Sequence, residues 1–324
     1  MMAYAMAIAA PGGTEKIFRK KIKVPRPGPG EITLRHTAIG LNFIDIYFRS
    51  GVYPWPVPRD LVTGSEGAGV VEAVGEGVDL RVGQRVAYTT PNGAYASHRS
   101  LPATLAVPLP DTISDEVAAA VMLKGLTAYY LLHHSFPVTS SDTVLFHAAA
   151  GGVGLLAGQW LAAKGVRAIG TAGGAEKCAL ARAHGYREVI DYRAEDFAAE
   201  TMRLTAGQGV AAVYDSIGFD TILKSAEVLQ PFGTLVSFGQ SSGVPDNFRI
   251  SHLARASLRV TRPTLFHFTR QPGWLAEASG ALFKMIASGA IKVEIAQRYP
   301  LDAVGSAHEA LAARQTVGSS ILVP

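Results

Sequence analysis

The chain has 324 residues, 48% of them hydrophobic and 17% charged, with a net charge of +4. That length accommodates two ordinary domains, and that balance excludes an intrinsically disordered chain. The single cysteine, Cys178, excludes an intramolecular disulfide and a thiolate-rich zinc site, and it fits a reducing cytoplasm.

Met1 to Ala10 is apolar without a basic start and is interrupted by Pro11-Gly12-Gly13, so it reads as a first strand and not as a secretion signal. Arg19-Lys20-Lys21-Ile22-Lys23 is the one dense basic run and reads as a solvated strand edge. Read instead as an electrostatic footprint, it leaves a nucleic-acid-binding role as an alternative of another class. Up to about residue 110, short apolar runs (Ile32–His36, Gly69–Val74, Arg85–Tyr88) alternate with turn clusters such as Pro25 to Gly30, which predicts a β-rich segment. Pro54-Trp55-Pro56-Val57-Pro58 predicts a rigid extended loop. Ser114 is a plausible helix N-cap, with Asp115 and Glu116 in the first turn where acids suit the helix dipole, and the helix runs toward Tyr130. The apolar stretch Val117 to Leu132 is interrupted by Lys124 and Gly125 and falls short of a membrane span.

From Asp142 to about Arg262 strands and helices alternate. The predicted strands are Thr143–His147, Arg167–Thr171, Glu188–Asp191, Ala211–Asp215, Thr234–Phe238 and Leu258–Thr261. Helices start near Gly152, Ala175, Glu195, Phe219 and Ile250. This alternation implies a doubly wound parallel sheet covered on both faces, a Rossmann domain. The tail from Pro263 carries a long helix (about Thr269–Ser288), a shorter one (Asp302–Ala313) and a final strand (Ser320–Val323), and is expected to complete the first domain. The division predicted is 1–124, 125–262 and 263–324, with a cofactor in the cleft between the domains.

The most informative stretch is Val144 to Gly154. An apolar strand leads into Ala149-x-Gly151-x-x-Gly154, and a helical pattern follows with Val153, Leu156, Trp160 and Leu161 on one face. This is the dinucleotide fingerprint with alanine for the first glycine. Small residues at Ala149, Gly151, Gly152, Val153 and Gly154 allow a tight turn and bring a pyrophosphate against the helix N-terminal amides.

With these pieces in place, the chain resembles the medium-chain dehydrogenase/reductase superfamily over nearly its full length, and within it the zinc-free, zeta-crystallin-like quinone oxidoreductases. The stretches that carry the resemblance are Gly40 to Tyr47, Gly64 to Val70, Lys124 to Tyr130, His147 to Gly154, Phe238 to Gly243, Val260 to Pro263 and Gly318 to Ser320. It implies an α/β fold with a Rossmann sheet plus a β-rich GroES-like catalytic domain, and a homodimer formed through the Rossmann sheet edge. The zinc-dependent branch of the superfamily carries cysteine where Asn42 stands and histidine where Ser65 stands. Amide and hydroxyl are poor zinc ligands, so no catalytic metal is expected. His36, His98 and His147 lack partners at metal-like spacing and read as hydrogen-bonded structural histidines.

Cofactor choice is read at the end of the second Rossmann strand, where NAD-specific enzymes place an acid about 20 residues past the glycine turn. Gly170-Thr171-Ala172-Gly173-Gly174 has none. Lys177 can pair with a 2′-phosphate, and the family uses residues matching Lys177 and Tyr192 in this way, which predicts NADP(H). Glu176 would repel that phosphate if it turned inward. By resemblance, Asn42, Lys124, Thr127 and Tyr130 line the nicotinamide end, and Gly173, Ser216, Phe238, Gly239, Ser241, Arg314 and Ser319 meet the rest of the cofactor. Gln240 departs from the expected asparagine. Tyr47 and Tyr53 bound a substrate or donate to a reduced oxygen, or serve only as packing. Without a metal, a quinone or conjugated enone is the suitable acceptor, because its π-system takes hydride without Lewis-acid help. The expectation is a cytoplasmic NADPH:quinone reductase, with a 2-alkenal or enone reductase as the alternative. One- or two-electron reduction is left open.

Overall fold

The computed structural model describes residues 3–324; Met1 and Met2, where the expected first strand began, lie outside the described residues. The chain divides into two units. One comprises residues up to Lys124, Thr269–Ala287 and Val293–Pro324; the other comprises Gly125–Phe268 and Ser288–Lys292.

The first unit opens with β1 (Tyr4–Ile8), β2 (Ile17–Lys21), β3 (Glu31–Leu41), α1 (Phe43–Ser50), β4 (Leu61–Val62) and β5 (Glu66–Val74). β6 (Arg85–Thr89), β7 (His98–Pro102), β8 (Val107–Pro108) and the start of α2 (Asp115–Tyr130) follow. β2, β1 and β4 form one small sheet. The basic run sits on the exposed β2, with Arg19 paired to Asp302 at 2.7 Å and Lys20 to Asp60 at 3.0 Å, so acids of the same unit already answer part of its charge. Ser114 caps α2 as expected, its hydroxyl accepting from the Val117 amide at 3.2 Å.

The second unit alternates β9 (Thr143–Phe146), α3 (Gly152–Ala163), β10 (Arg167–Ala172), α4 (Ala175–Ala183), β11 (Glu188–Asp191) and α5 (Phe197–Leu204). β12 (Val210–Asp215), α6 (Ile222–Glu227), β13 (Leu229–Ser237), β14 (Arg259–Thr261) and α7 (Leu265–Phe268) complete it. Its six parallel strands run β11-β10-β9-β12-β13-β14, the doubly wound order whose reversal lies between β9 and β12. Every residue of β12 is buried, as a central strand covered on both faces requires. Leu145, Ile169, Val213 and Leu235 meet in the core of this sheet.

The tail returns to the first unit as α8 (Trp274–Ala287), β15 (Ile295–Pro300), α9 (Val304–Ala312) and β16 (Ser319–Val323). β16 pairs antiparallel with β3, giving the larger sheet β15-β16-β3-β5-β6-β8, with β7 also on β3. Leu322 thereby joins Ile32, Leu34, Val71 and Val86 in one core.

β13 starts at Leu229, ahead of the predicted Thr234, and three further details differ from the predicted elements. Ile250–Ala256 is 3₁₀ and not α-helical; Ile250 is 84% exposed, so the segment has little apolar face to bury. The long tail helix starts at Trp274, because Gly273 at φ +77° breaks the turn before it. Pro263 to Phe268 side with the second unit, where Phe268 stacks on Tyr130 at 4.7 Å, and Ser288–Lys292 are tied there by two hydrogen bonds between Gln159 and Lys292.

Candidate functional site

At the carboxyl end of β9 the backbone turns through Ala148, at φ +52°, and Gly151 donates back to the Ala148 carbonyl at 2.9 Å. Ala149 donates to the Thr171 carbonyl, fastening the turn to β10. A Cβ on Gly154 would lie 2.4 Å from the Ala148 carbonyl oxygen and 2.7 Å from that of Ala149, so only glycine lets α3 start this close to its strand. The turn thus presents the first amides of α3, from Gly152 and Val153, at the carboxyl ends of the strands, an arrangement able to receive an anion.

Below it, the His147 Nδ1 meets Thr171 Oγ1 and its Nε2 meets Ser225 Oγ, both at 2.9 Å. Ser225 donates its one hydrogen to Asp215 Oδ2, so it accepts from His147, which therefore carries its proton on Nε2. Asp215 also accepts from the amides of Ile217 and Gly218 and from Thr221, which orders the loop after β12. In that loop Ser216 lies beside Gly239 and Ser241: the Ser241 amide donates to the Ser216 carbonyl at 3.1 Å, and Phe238 donates to the Asp215 carbonyl. Ser216, Phe238, Gly239 and Ser241 are therefore gathered at the ends of β12 and β13.

At the end of β10, a Cβ on Gly173 would stand 2.6 Å from the Tyr192 hydroxyl and 3.1 Å from Arg193 Nε, so both side chains border the turn. Tyr192 is 42% exposed, Lys177 is half-buried in the first turn of α4, and Glu176 is exposed. The acid that does act here is one the sequence reading did not assign. Asp191 Oδ1 accepts from the amides of Gly174 and Arg193, and those bonds hold its carboxyl below the usual carboxylate range. Asp191 shapes the turn from the third strand.

In the first unit, Asn42 caps α1 in a reciprocal capping box with Asp45. Its Nδ2 donates to Glu66 Oε1 at 2.9 Å; Lys124 Nζ reaches the same oxygen at 2.6 Å, and the Leu123 amide donates to Oε2 at 2.5 Å. Glu66 is fully buried. Beside this cluster, Asp45 accepts from Ser65 Oγ at 2.8 Å and from the Tyr95 hydroxyl at 2.9 Å, and Tyr95 in turn meets His308 Nε2 at 2.9 Å. Asn42 and Ser65 are thus committed to carboxylates of their own unit. Among the described residues no three His, Cys, Asp or Glu side chains gather as a metal site would need. The sequence reading singled out Asn42 and Lys124 but missed Glu66 and Asp45.

Tyr47 and Tyr53 lie together, ring centroids 5.2 Å apart, with the Tyr53 amide donating to the Tyr47 carbonyl. Thr127 and Tyr130 are buried on α2, and Tyr130 is stacked on Phe268. Ser319 uses its hydroxyl on the Ala120 carbonyl at 3.3 Å, while Arg314 is exposed at φ +58°; both belong to the first unit. His36 is fully satisfied, by the Ala96 carbonyl and the Tyr88 hydroxyl, each at 2.7 Å.

The buried ionisable groups give the stability a signed pH dependence. Burial pushes Asp45 up to about 7, against the opposing pull of its hydrogen bonds from Ser65, Tyr95 and Asn42. A raised carboxyl contributes stability that is present below the ordinary carboxylate pKa and is lost as pH rises through 7. Burial lowers His36 and His308 to about 3, so their contribution is present above about 6.5 and is lost as pH falls. Asp45→Asn is expected to gain on the wild type between about pH 4 and 7, by at most about 1.4 kcal/mol per pH unit. Urea unfolding of both proteins across that range checks it; a pH-independent difference contradicts it.

Comparison with known proteins places this arrangement in a class. The alcohol dehydrogenase GroES-like domain family matches residues 28–111, and the zinc-binding dehydrogenase family matches residues 184–322. A quinone oxidoreductase of Pseudomonas aeruginosa is 48% identical over 327 residues, covering 100% of both chains. The structure of an Escherichia coli quinone oxidoreductase complexed with NADPH matches at TM-score 0.96 and 44% identity, covering 99% of this chain and 100% of that one. A Burkholderia 2-haloacrylate reductase is 41% identical over 332 residues, covering 100% of this chain and 99% of its own. The chain belongs to the quinone oxidoreductase family of medium-chain dehydrogenases/reductases.

Proposed function

We propose that the protein is an NADPH-dependent reductase of quinones that works without a catalytic metal. The observation that carries this is 48% identity to a quinone oxidoreductase over 327 residues, covering 100% of both chains. The geometry supports it. The nucleotide turn is fitted to a pyrophosphate by its close helix approach at Gly154, and the turn at Gly173 meets the ribose end with Tyr192 and Arg193 beside it, Lys177 in the helix turn that follows, and Asp191 tied to backbone amides. NADPH, once bound, supplies the hydride. Lys177 and Tyr192 hold the 2′-phosphate, and the first amides of α3 hold the pyrophosphate. Ser216, Phe238, Gly239, Ser241, Arg314 and Ser319 are the further cofactor contacts. The family resemblance assigns Asn42 and Lys124 to the nicotinamide end, and it assigns Thr127 and Tyr130 there as well. Asn42 and Lys124 present N–H donors where negative charge develops on an acceptor oxygen, the part a metal plays in the zinc enzymes. Tyr47 and Tyr53 bound the acceptor.

A second reading, reduction of an activated carbon–carbon double bond, is favoured by the likeness to the 2-haloacrylate reductase. Turnover of a panel of quinones, enones and saturated ketones, with NADPH and with NADH, separates the two. Quinones are expected to lead and saturated ketones to be inert; enones reduced with quinones inert would shift the assignment to the second reading. Asn42→Ala is expected to lower kcat about 10- to 100-fold, whereas Tyr53→Phe changes turnover only if its hydroxyl meets the acceptor oxygen. Wild-type constants in both variants would contradict this placement of the acceptor.

No helix among the described residues is long and apolar enough to cross a membrane. The reading places the enzyme in the cytoplasm as a homodimer joined through β14, the edge strand of the six-stranded sheet, where Val260 is 44% exposed. Light scattering reports the mass directly.

A further inference from the structure

We infer that Glu66 is a positioning residue for the reduction: its buried carboxylate fixes the Asn42 amide and the Lys124 ammonium as one set of aimed donors. The inference rests on the reductase reading above. An ionised carboxylate only accepts hydrogen bonds, so Asn42 must turn Nδ2 and not Oδ1 toward Glu66 Oε1, 2.9 Å away. One amide hydrogen is then spent on Glu66 and the other is left as a donor of fixed direction. Lys124, 2.6 Å from the same oxygen, likewise keeps two N–H bonds beyond the one it gives to Glu66. The carboxylate also balances the lysine charge at a site where both side chains are buried.

The chain is built to admit this carboxylate. Gly40 on β3 has no side chain, and a Cβ there would lie 2.3 Å from Glu66 Oε1 and 2.4 Å from its Cγ. From α2, the Leu123 amide holds Oε2 at 2.5 Å. Asn42, which follows β3, and Leu123 and Lys124, two successive residues of α2, are thereby all held by the side chain of Glu66, the first residue of β5. All three partners of Glu66 are donors. Glutamine cannot replace it, because its NH₂ group would face either the Leu123 amide or the Asn42 and Lys124 donors.

The test is a double-mutant cycle on turnover, with a simple benzoquinone and NADPH, in wild type, Asn42→Ala, Glu66→Gln and the double variant. Glu66→Gln is expected to lower kcat about 10- to 100-fold, as a misaimed group does, while the dissociation constant for NADPH stays within about 3-fold. Because Asn42→Ala removes one of the two donors that Glu66 aims, the double variant is expected to lose clearly less than the product of the two single losses, the remainder coming through Lys124. A loss in the double variant equal to the product of the single losses, or wild-type kcat in Glu66→Gln, overturns the inference. Should Glu66→Gln not fold, Glu66→Asp runs the same cycle, since it keeps the charge and withdraws the oxygens by one methylene. Failure of the wild type to reduce the quinone overturns the reductase reading itself; an active wild type with multiplying losses overturns only the role of Glu66.

Discussion

Lys124→Met is expected to cost the folded protein about 3–5 kcal/mol, the usual loss when one partner of a buried ion pair is removed and the other charge stays behind. Glu66 has no exposure to water and sits between β3 and α2 with its donors already placed, so it cannot turn outward to be solvated. For a chain with units of this size the loss corresponds to a drop in melting temperature of roughly 10 °C. Combining Lys124→Met with Glu66→Gln is expected to restore most of the stability, because replacing both charges removes the uncompensated one. Activity is not restored with it, since the aimed donors are gone. Urea unfolding of the single and double variants at neutral pH checks the first half, and turnover checks the second. A single variant as stable as the wild type would mean that Lys124 lies outside the buried pair.

Lys177→Ala is expected to weaken NADPH while leaving NADH nearly untouched. Only NADPH carries the 2′-phosphate, and a charge-assisted hydrogen bond to it contributes about 1.5–3 kcal/mol, or roughly 10- to 150-fold in affinity. Lys177 is half-buried at the start of α4, so screening places the effect toward the lower end. Tyr192→Phe is expected to act in the same direction and less, because a neutral hydroxyl is the weaker partner. The preference for NADPH shrinks as salt rises. Dissociation constants for both cofactors, in wild type and both variants at low and moderate salt, measure this. Equal losses for the two cofactors would mean that Lys177 supports only the fold.

The nucleotide unit was legible in the sequence because its signals are local. The strand, the small-residue turn and the helix of the fingerprint are contiguous from Val144 to Leu161, and the alternation after them predicts a doubly wound sheet. The return of the tail was legible from its length, but its last strand pairs with Leu41, Gly40 and Ile39, a contact across about 280 residues of chain that no local pattern encodes. The same holds for the polar cluster. Glu66 meets Asn42 and Lys124 across 24 and 58 residues, and Asp45 meets Tyr95 across 50. The available signal was an acid opening the apolar run Gly67 to Val71, where a charge is expensive unless paired. Asp191 was hidden differently. The sequence reading looked for an acid at the end of the second strand, whereas this one reaches the turn from the third, through the Gly174 amide.

The ratio of kcat/KM for a simple benzoquinone with NADPH to that with NADH, measured on the wild-type protein, tests the central claim most directly. Measurable quinone reduction is expected, with a preference for NADPH of at least about 10-fold, the lower end of what the 2′-phosphate contacts supply. No quinone turnover with either cofactor, or a preference for NADH, would contradict it.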